Sequence, residues 1–364
     1  MIISKTRVYL VCFAFVFAAI AFLLNPGPDQ YDLARHYSHI DNLQGISFSE
    51  VIEKARVGYL LFDGYAWIIT SIGLPKNLIT ATVVFVSHIL VFSIWYDLVK
   101  VKKNAFAKSK QIEIVVFLVL WLSINFISIA SGIRNGFGNV VVFYVSYHLY
   151  SYNRRAFFFA GATTAFFIHP FTMAASLLVL LAYIFGSSAP KQNILSKIIF
   201  VIALLFLAFR PLVVVVIEAL HDILVFLPFY KPTYLDFDSE WGAGHAETRN
   251  FNGLLEVYLF RKLPVYIASV YLLFVPIRKI KNSQLFFLLS ILFLYFCLFF
   301  DFYTLVGRMT YVFTLFFSLF IVSQVLNLRD RPTIIFALLY LSGLLVYSVF
   351  NLYAYRNFFI TIFA

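Results

Sequence analysis

Long runs of apolar residues, separated by short polar stretches, follow one another along the whole chain. Because a backbone in lipid must satisfy its own hydrogen bonds, runs of about 20 apolar residues predict membrane-spanning helices, and no alternating strand pattern is seen. The predicted spans are 8–24, 77–99, 113–131, 137–151, 156–169, 171–185, 196–217, 257–277, 284–300, 308–327 and 333–354. The pattern predicts an all-α, polytopic membrane bundle of about ten or eleven transmembrane helices, with 1–364 forming a single membrane domain.

The first run resembles a signal peptide, since 8–24 follows Lys5 and Arg7 and carries Ala-Ile-Ala near its end. The run is long for a cleaved signal, and many spans follow it. An uncleaved anchor is therefore predicted.

Lys and Arg gather in clusters at every second connection between the runs. The clusters are Lys5/Arg7, Lys100 to Lys110, Arg154/Arg155, Lys191/Lys197, Arg278/Lys279/Lys281 and Arg329/Arg331. Basic clusters mark cytoplasmic loops, so they predict one alternation for the whole chain with a cytoplasmic N-terminus. The net charge of +11 is thus a topology signal, and no nucleic-acid partner is predicted.

This alternation places all but three of the 17 acidic residues outside, where the basic residues are mostly Arg. Arg is preferred to Lys where a planar fork grips phosphate. The outer side is therefore predicted to be the working face.

The composition makes lipid the main solvent, with 62% hydrophobic and 12% charged residues and a mean hydropathy of +0.89. A Gly-rich phosphate loop is absent, and no cytoplasmic connection has room for a nucleotide-binding domain. Cys12 and Cys297 lie far apart, which offers neither a disulfide framework nor a metal site. No metal and no cofactor is predicted.

The stretch 25–76 is predicted to be a large external segment with two helices along the membrane surface, near 46–57 and 59–72. The second of these is apolar but short, and it carries Asp63. If it crossed the membrane, the next, lysine-rich connection would lie outside. The alternative, in which 59–73 is a short true span and the basic-cluster rule is broken once, stays open.

Arg134 sits in Ser131-Gly-Ile-Arg-Asn-Gly-Phe-Gly138, at a predicted outer turn between two spans. The glycines let backbone and ligand approach closely, and a guanidinium there is suited to hold a diphosphate. The alternative is an interfacial Arg that extends to the lipid headgroups.

His169 lies in Phe166-Phe-Ile-His-Pro-Phe-Thr172, an apolar stretch that Pro170 breaks. Broken helices at membrane depth are tolerated where they line a cavity. A neutral imidazole there is predicted to accept the proton of an attacking sugar hydroxyl. The alternative is a buried hydrogen-bonding partner.

Two further arginines are predicted to bind diphosphate. Arg308 follows Asp301-Phe-Tyr-Thr-Leu-Val-Gly307 at an outer helix start, whereas Arg210-Pro211 interrupts a span in mid-membrane. The alternatives are an interfacial position for Arg308 and a carboxylate partner for Arg210.

A second external loop is predicted over 218–256, which contains both aromatic residues and carboxylates. Aromatic faces stack on sugars and carboxylates bind hydroxyls, so a glycan cleft is one interpretation and an ordinary solvated loop is the other. The candidate glycan-binding residues are Tyr230, Trp241, His245 and Arg249.

Asp29 and Asp32 lie just above the first span and face the same way if a helical turn begins there. One of them is predicted to act as general base or to orient an acceptor hydroxyl. A helix cap is the alternative.

At these residues the chain resembles the EpsG-like branch of the Wzy-type polysaccharide (O-antigen) polymerases. That family shows an early external Asp followed by tyrosines, an Arg opening a middle helix, a His near the outer end of a later helix, and an Arg opening a late helix. The counterparts here are Asp29 or Asp32 with Tyr31 and Tyr37, then Arg134, His169 and Arg308. The middle motif reads Arg134-Asn135-Gly136, which departs from the family's frequent Arg-Gln.

The resemblance implies a metal-independent GT-C-type glycosyltransferase of the bacterial inner membrane, active at the periplasmic face in O-antigen and lipopolysaccharide biosynthesis. A growing chain would pass from undecaprenyl diphosphate onto the next repeat unit, with Arg134 and Arg308 on the diphosphate and His169 or the early Asp as base. The implied partners are the undecaprenyl-diphosphate-linked oligosaccharide, the bilayer and a chain-length regulator. A flippase of the same lipid-linked oligosaccharide, which usually shows paired halves not seen here, and a membrane O-acetyltransferase are the alternatives.

Overall fold

The computed structural model of the chain describes residues 5–24, 32–55, 57–101, 109–186, 189–224, 235, 254–328 and 330–359. These residues fold into helices, with no strand among them. The chain divides into two compact units, of which the first contains Met1–Leu177 with Ser348–Ala364 and the second contains Leu178–Tyr347.

The first unit contains nine helices in its described residues and begins a tenth. They are α1 (Lys5–Phe22), α2 (Asp32–Asp41), α3 (Phe48–Lys54), α4 (Leu60–Ser71), α5 (Asn77–Tyr96), α6 (Lys110–Ser123), α7 (Phe126–Ser131), α8 (Ile133–Tyr152), α9 (Arg155–Ile168) and α10 (Phe171–Phe185). A 3₁₀ turn, Val57–Tyr59, leads into α4. Within this unit α1 packs on α5, and α8 packs on both α5 and α9.

The second unit completes α10 and adds six helices in its described part. They are α11 (Ala189–Ala208), α12 (Arg210–Leu224), α13 (Leu254–Phe274), α14 (Ser283–Leu298), α15 (Tyr303–Leu328) and α16 (Arg331–Ala354), whose last residues belong to the first unit. The span within α15 is 94% buried, so this helix forms the centre of the unit. Aromatic stacking joins α11 to α14, where the ring centres of Phe200 and Phe293 lie 4.3 Å apart.

Six helices of the described chain are long and apolar enough to cross a membrane. They are Lys5–Phe22, Asn77–Val99, Lys110–Ser131, Lys191–Ala208, Leu305–Leu328 and Arg331–Ala354. The predicted class, an all-α polytopic membrane protein, is confirmed. Helices α9, α10 and α14 are apolar but shorter, and the number of crossings stays a prediction.

The predicted external segment, 25–76, forms in its described residues the two helices expected from its sequence, α3 and α4, and one more, α2. Helix α4 has 12 residues. At 1.5 Å per residue it is about 18 Å long, whereas the hydrocarbon core is about 30 Å thick. This length favours the external interpretation of α4 over the alternative of a true span, and its position along the membrane surface stays a prediction.

Polar contacts join the helices of the predicted external segment to one another and to α5. The indole of Trp67 donates to the Ile46 carbonyl at 2.9 Å, within the segment. The hydroxyls of Tyr37 and Thr80 lie 2.9 Å apart, and the Lys76 ammonium lies 2.6 Å from the Asp41 carboxylate. These contacts fix α2 on the first turns of α5.

The predicted span 113–131 is interrupted in the structure. Helix α6 ends before Asn125, whose backbone has a positive φ of 33°, and the Asn125 side chain accepts a hydrogen bond from the Ser128 N–H at 3.0 Å. Asn tolerates this conformation and is a preferred N-cap, which explains the new start of α7.

The predicted span 196–217 does not form one helix, because the helix breaks between Ala208 and Arg210, at the predicted interruption. The mid-membrane position of Arg210 stays a prediction. Helix α11 begins earlier and is already complete with 20 residues when it ends at Ala208. Arg210 and Pro211 then open α12. Proline is favoured at the start of a helix, where its missing N–H is not needed, so this pair lies at the predicted break and also opens the next helix.

Candidate active site

Arg134 is the second residue of α8, at the helix end that the predicted topology places outside. The short helix α7 ends just before it, and the two helices meet at Gly136. An added Cβ atom on Gly136 would lie 2.8 Å from the Ser128 carbonyl oxygen, so a side chain there would push the helices apart. Close helix packing at this glycine therefore fixes where Arg134 leaves the backbone.

The guanidinium of Arg134 packs against aromatic rings of the external segment. Its Cζ atom lies 4.2 Å from the ring centre of Tyr59 and 5.7 Å from that of Phe62. Arg134 is half-buried and Phe62 is buried. Such stacking orients the planar fork and shields it from water, which strengthens its attraction to an anion.

His169 follows the last residue of α9 and precedes Pro170. Its backbone is extended, with φ −158° and ψ 120°, because proline disfavours the helical conformation in the residue before it. The predicted break of the helix at this point is confirmed. The Thr172 hydroxyl donates to the His169 carbonyl at 2.8 Å and steadies the turn into α10.

The imidazole of His169 is only 7% exposed, and its Nδ1 atom accepts a hydrogen bond from the Phe171 N–H at 3.3 Å. A neutral imidazole that accepts at Nδ1 carries its proton on Nε2. In this geometry the ring is a hydrogen-bond donor at Nε2. The role of general base assigned to His169 from the sequence stays a prediction.

Tyr59 connects the two residues that the sequence singled out in this unit. Its ring centre lies 5.6 Å from that of His169 in an edge-on arrangement, while Arg134 covers the ring. The neighbouring Gly58 lies so close to Pro170 that an added Cβ atom would be 2.5 Å from the proline Cγ. The structure therefore brings Arg134 and His169 to one aromatic side chain.

Helix α2 adds an imidazole to this group. The ring centre of His36 lies 6.3 Å from that of Phe62, the ring that also neighbours Arg134. Burial lowers the pKa of His36 well below its usual value, and the charges of Arg134, His39 and Arg35 lower it further. His36 is thus neutral near pH 7. We refer to Tyr59, Arg134, His169 and His36 as the Arg134 cluster.

Two carboxylates of the external segment have different surroundings. Asp63 of α4 is 3% exposed, and its Oδ1 atom lies 3.0 Å from Nε2 of His39. Asp32 lies in the first turn of α2, is 56% exposed and accepts a hydrogen bond from Arg35. The role of Asp32 as base or orienting acid stays a prediction.

The second unit holds the other two predicted arginines. Arg210 donates from one amino group to the Cys297 carbonyl at 2.9 Å and forms an ion pair with Asp301 through the other. This is the carboxylate partner that the sequence left open. Arg308 lies in the first turns of α15, is half-buried and interacts electrostatically with Tyr295.

Lys262 of α13 is a further cation of the second unit. It is 5% exposed, and its Nζ atom lies 3.8 Å from the ring centre of Phe300. Asp301 and Arg210 act on it electrostatically. Arg210 and Lys262 therefore both lie near the turn after α14, which carries the carboxylate of Asp301.

A model of the EpsG family matches residues 6–361, which is nearly the whole chain. The chain belongs to the EpsG family. No curated protein and no solved structure is similar enough to match it. Membership of the EpsG family confirms the resemblance and is consistent with a glycosyltransferase-like polymerase in polysaccharide biosynthesis.

In this EpsG-family chain, sequence reasoning missed several residues that the structure places in or beside the Arg134 cluster. His36 and His39 are three residues apart on α2, and this spacing on one helix face was the available signal. Tyr59 had no such signal. The predictions for Asp29, Tyr31, Tyr230, Trp241, His245 and Arg249 lie outside the described residues.

Proposed function

We propose that this EpsG-family chain joins lipid-linked oligosaccharide repeat units into a polysaccharide by glycosyl transfer. Donor and acceptor are repeat units carried on undecaprenyl diphosphate, and the reaction takes place at the outer face of the bacterial plasma membrane. One observation carries the proposal: Arg134, a half-buried cation at a helix N-terminus, packs on Tyr59, which also contacts His169.

The chemistry of the reaction fits this arrangement. As the bond between the donor sugar and the diphosphate breaks, negative charge develops on the leaving phosphate oxygen. Preorganised donors aimed at such a charge usually contribute more to catalysis than any other single effect. The Arg134 fork and the N–H groups that open α8 both favour an anion at this point, and Nε2–H of His169 adds a donor.

Arg308, in the second unit, is proposed as a further residue that binds phosphate. Arg210 is the weaker candidate, since Asp301 and the Cys297 carbonyl occupy both of its amino groups. We propose the Arg134 cluster as the catalytic centre. The predicted loop 218–256 is shorter in the structure, because α12 ends at Leu224 and α13 begins at Leu254, and the residues between these helices are proposed to bind the sugars.

The test is a chromosomal deletion complemented with variants, read as a glycan ladder on a gel. Arg134→Ala is expected to reduce polymer by about 100-fold, the loss typical of one transition-state donor, while the protein still inserts. Arg134→Lys keeps the charge but loses the fork, so an intermediate ladder is expected.

Arg154→Ala is the matched control, because Arg154 stacks on Tyr152 with 5.4 Å between its Cζ atom and the ring centre, near the opposite end of α8. It is expected to leave the ladder intact. In the deletion strain, single repeat units on the outside indicate a lost polymerase, whereas their absence indicates a lost flippase. An unchanged ladder that lacks acetyl groups indicates an acetyltransferase. Long chains from Arg134→Ala contradict the proposed site.

A further inference from the structure

Asp63 is a carboxylate inside the protein whose partner is an exposed imidazole. Its side chain is 3% exposed, whereas that of His39 is 41% exposed, and the two are joined at 3.0 Å. Burial of a carboxylate costs several kcal/mol of lost hydration, which only a partner or hydrogen bonds can offset, so the position of Asp63 requires an explanation. A role of the pair in the reaction, which rests on the proposed function, provides this explanation.

The pair lies beside the Arg134 cluster. His39 follows His36 by three residues on α2, so both rings project from the same side of that helix. His36 in turn experiences the charges of His39 and Arg134. Phe62, the residue before Asp63, has its ring centre 6.3 Å from that of His36 and 5.7 Å from the Arg134 Cζ atom. The pair of Asp63 and His39 therefore lies near Arg134, the residue proposed to hold the leaving group.

The geometry of the pair is that of a carboxylate-oriented base. Because Asp63 accepts from Nε2–H, the Nδ1 atom of a neutral His39 keeps a lone pair. A buried carboxylate stabilises the imidazolium that forms when this lone pair takes a proton. The exposure of His39 also matters, since the acceptor sugar arrives from water.

The imidazoles of His169 and His36, which also lie near Arg134, are less suited to accept a proton. Nδ1 of His169 is engaged by the Phe171 N–H. His36 lies next to the Arg134 guanidinium, which opposes a second positive charge beside it.

We propose that His39 is the general base of glycosyl transfer and that Asp63 is its positioning residue. The acceptor hydroxyl gives its proton to Nδ1 of His39, and its oxygen forms a bond to the anomeric carbon of the donor sugar. The bond from that carbon to the phosphate oxygen breaks with its electron pair, and the diphosphate leaves against Arg134. The imidazolium then releases its proton to water.

The experiment uses the full chain, purified and reconstituted in a bilayer, with the lipid-linked repeat unit extracted from the deletion strain as the probe. Elongation is followed on a gel. His39→Gln is the decisive variant, because its amide can still donate to Asp63 and preserve the contact but has no basic nitrogen. It is expected to be slower by about 100-fold, as is typical for the loss of a general base. His39→Ala should regain activity when imidazole is added.

Asp63→Asn removes the charge behind the imidazole and should also slow the reaction by about 100-fold without changing the acceptor concentration needed for half the maximal rate. Asp41→Asn is the matched control. It breaks the contact between Asp41 and Lys76, another charged contact of α2, and should leave the rate within about twofold.

A His39→Gln chain that elongates at the wild-type rate overturns the base while leaving the proposed function intact. Equal losses in Asp41→Asn and Asp63→Asn, with no imidazole rescue of His39→Ala, show a purely structural contact and also overturn it. A wild-type chain that extends no repeat unit refutes the proposed function itself. The two failures are thus distinguishable.

Discussion

Replacement of Tyr59 by leucine tests whether the aromatic contact of Arg134 contributes to function. The change removes the ring that lies 4.2 Å from the Arg134 Cζ atom and 5.6 Å from the His169 ring, but it alters no charge. A cation–aromatic pair that is partly shielded from water contributes about 1 to 2 kcal/mol. If this orientation is felt in the transition state, the rate should fall by about 5- to 30-fold.

The assay is elongation of the extracted lipid-linked repeat unit by reconstituted protein. Tyr59→Phe keeps the ring and should stay within about twofold of the wild type. Tyr353→Leu is the matched control, because Tyr353 is 65% exposed and stacks on Arg356 at 4.7 Å. Equal rates for Tyr59→Leu and Tyr59→Phe would refute the reasoning, since the ring would then contribute nothing to the position of Arg134.

Two further predictions concern the same cluster. Gly58→Ala places a Cβ atom 2.5 Å from Pro170, so the backbone must shift. We expect a loss of about 1 to 3 kcal/mol in stability, measured by thermal unfolding, and a weaker glycan ladder on a gel. An unchanged melting temperature would contradict the packing. The pKa of His36 is lowered in the folded protein, so the unfolded protein binds more protons at this residue. The free energy of unfolding should therefore fall as the pH drops below about 6.5, by at most about 1.4 kcal/mol per pH unit. His36→Gln should flatten this dependence in thermal unfolding between pH 7.5 and 5.5, and an equally steep curve in the variant would assign it to other groups.

Local sequence signals predicted the helices and the break at His169 well. Apolar runs of membrane length leave little choice but helix, and a proline after His169 ends the preceding helix by a steric effect that acts on neighbouring residues. The same kind of signal marked the break at Arg210 and Pro211 but not the bounds of the two helices. A proline is compatible with an interruption and with a helix start, and only the earlier beginning of α11 shows that a 20-residue helix is complete before Arg210.

The composition of the candidate site was less accessible from sequence. Arg134 and His169 were recognised because ionisable groups in apolar runs are energetically costly and usually have a partner or a function. Their common neighbour Tyr59 comes from a segment far away in the chain, and no periodicity reports such contacts. Asp63 was noticed only as an obstacle to a membrane span, whereas its partner His39 lies 24 residues earlier on another helix.

The bond between Tyr37 and Thr80 has a consequence for how the protein matures in the membrane. The ribosome delivers α2 well before α5, so the hydroxyl of Tyr37 has no Thr80 to meet until the second long helix has been inserted. The amide of Asn77, which donates to the Phe22 carbonyl at 2.7 Å, closes the base of the segment at the same late moment. Until α5 is in place, the segment between α1 and α5 lacks these two contacts, and chains truncated before α5 should expose this segment to proteases.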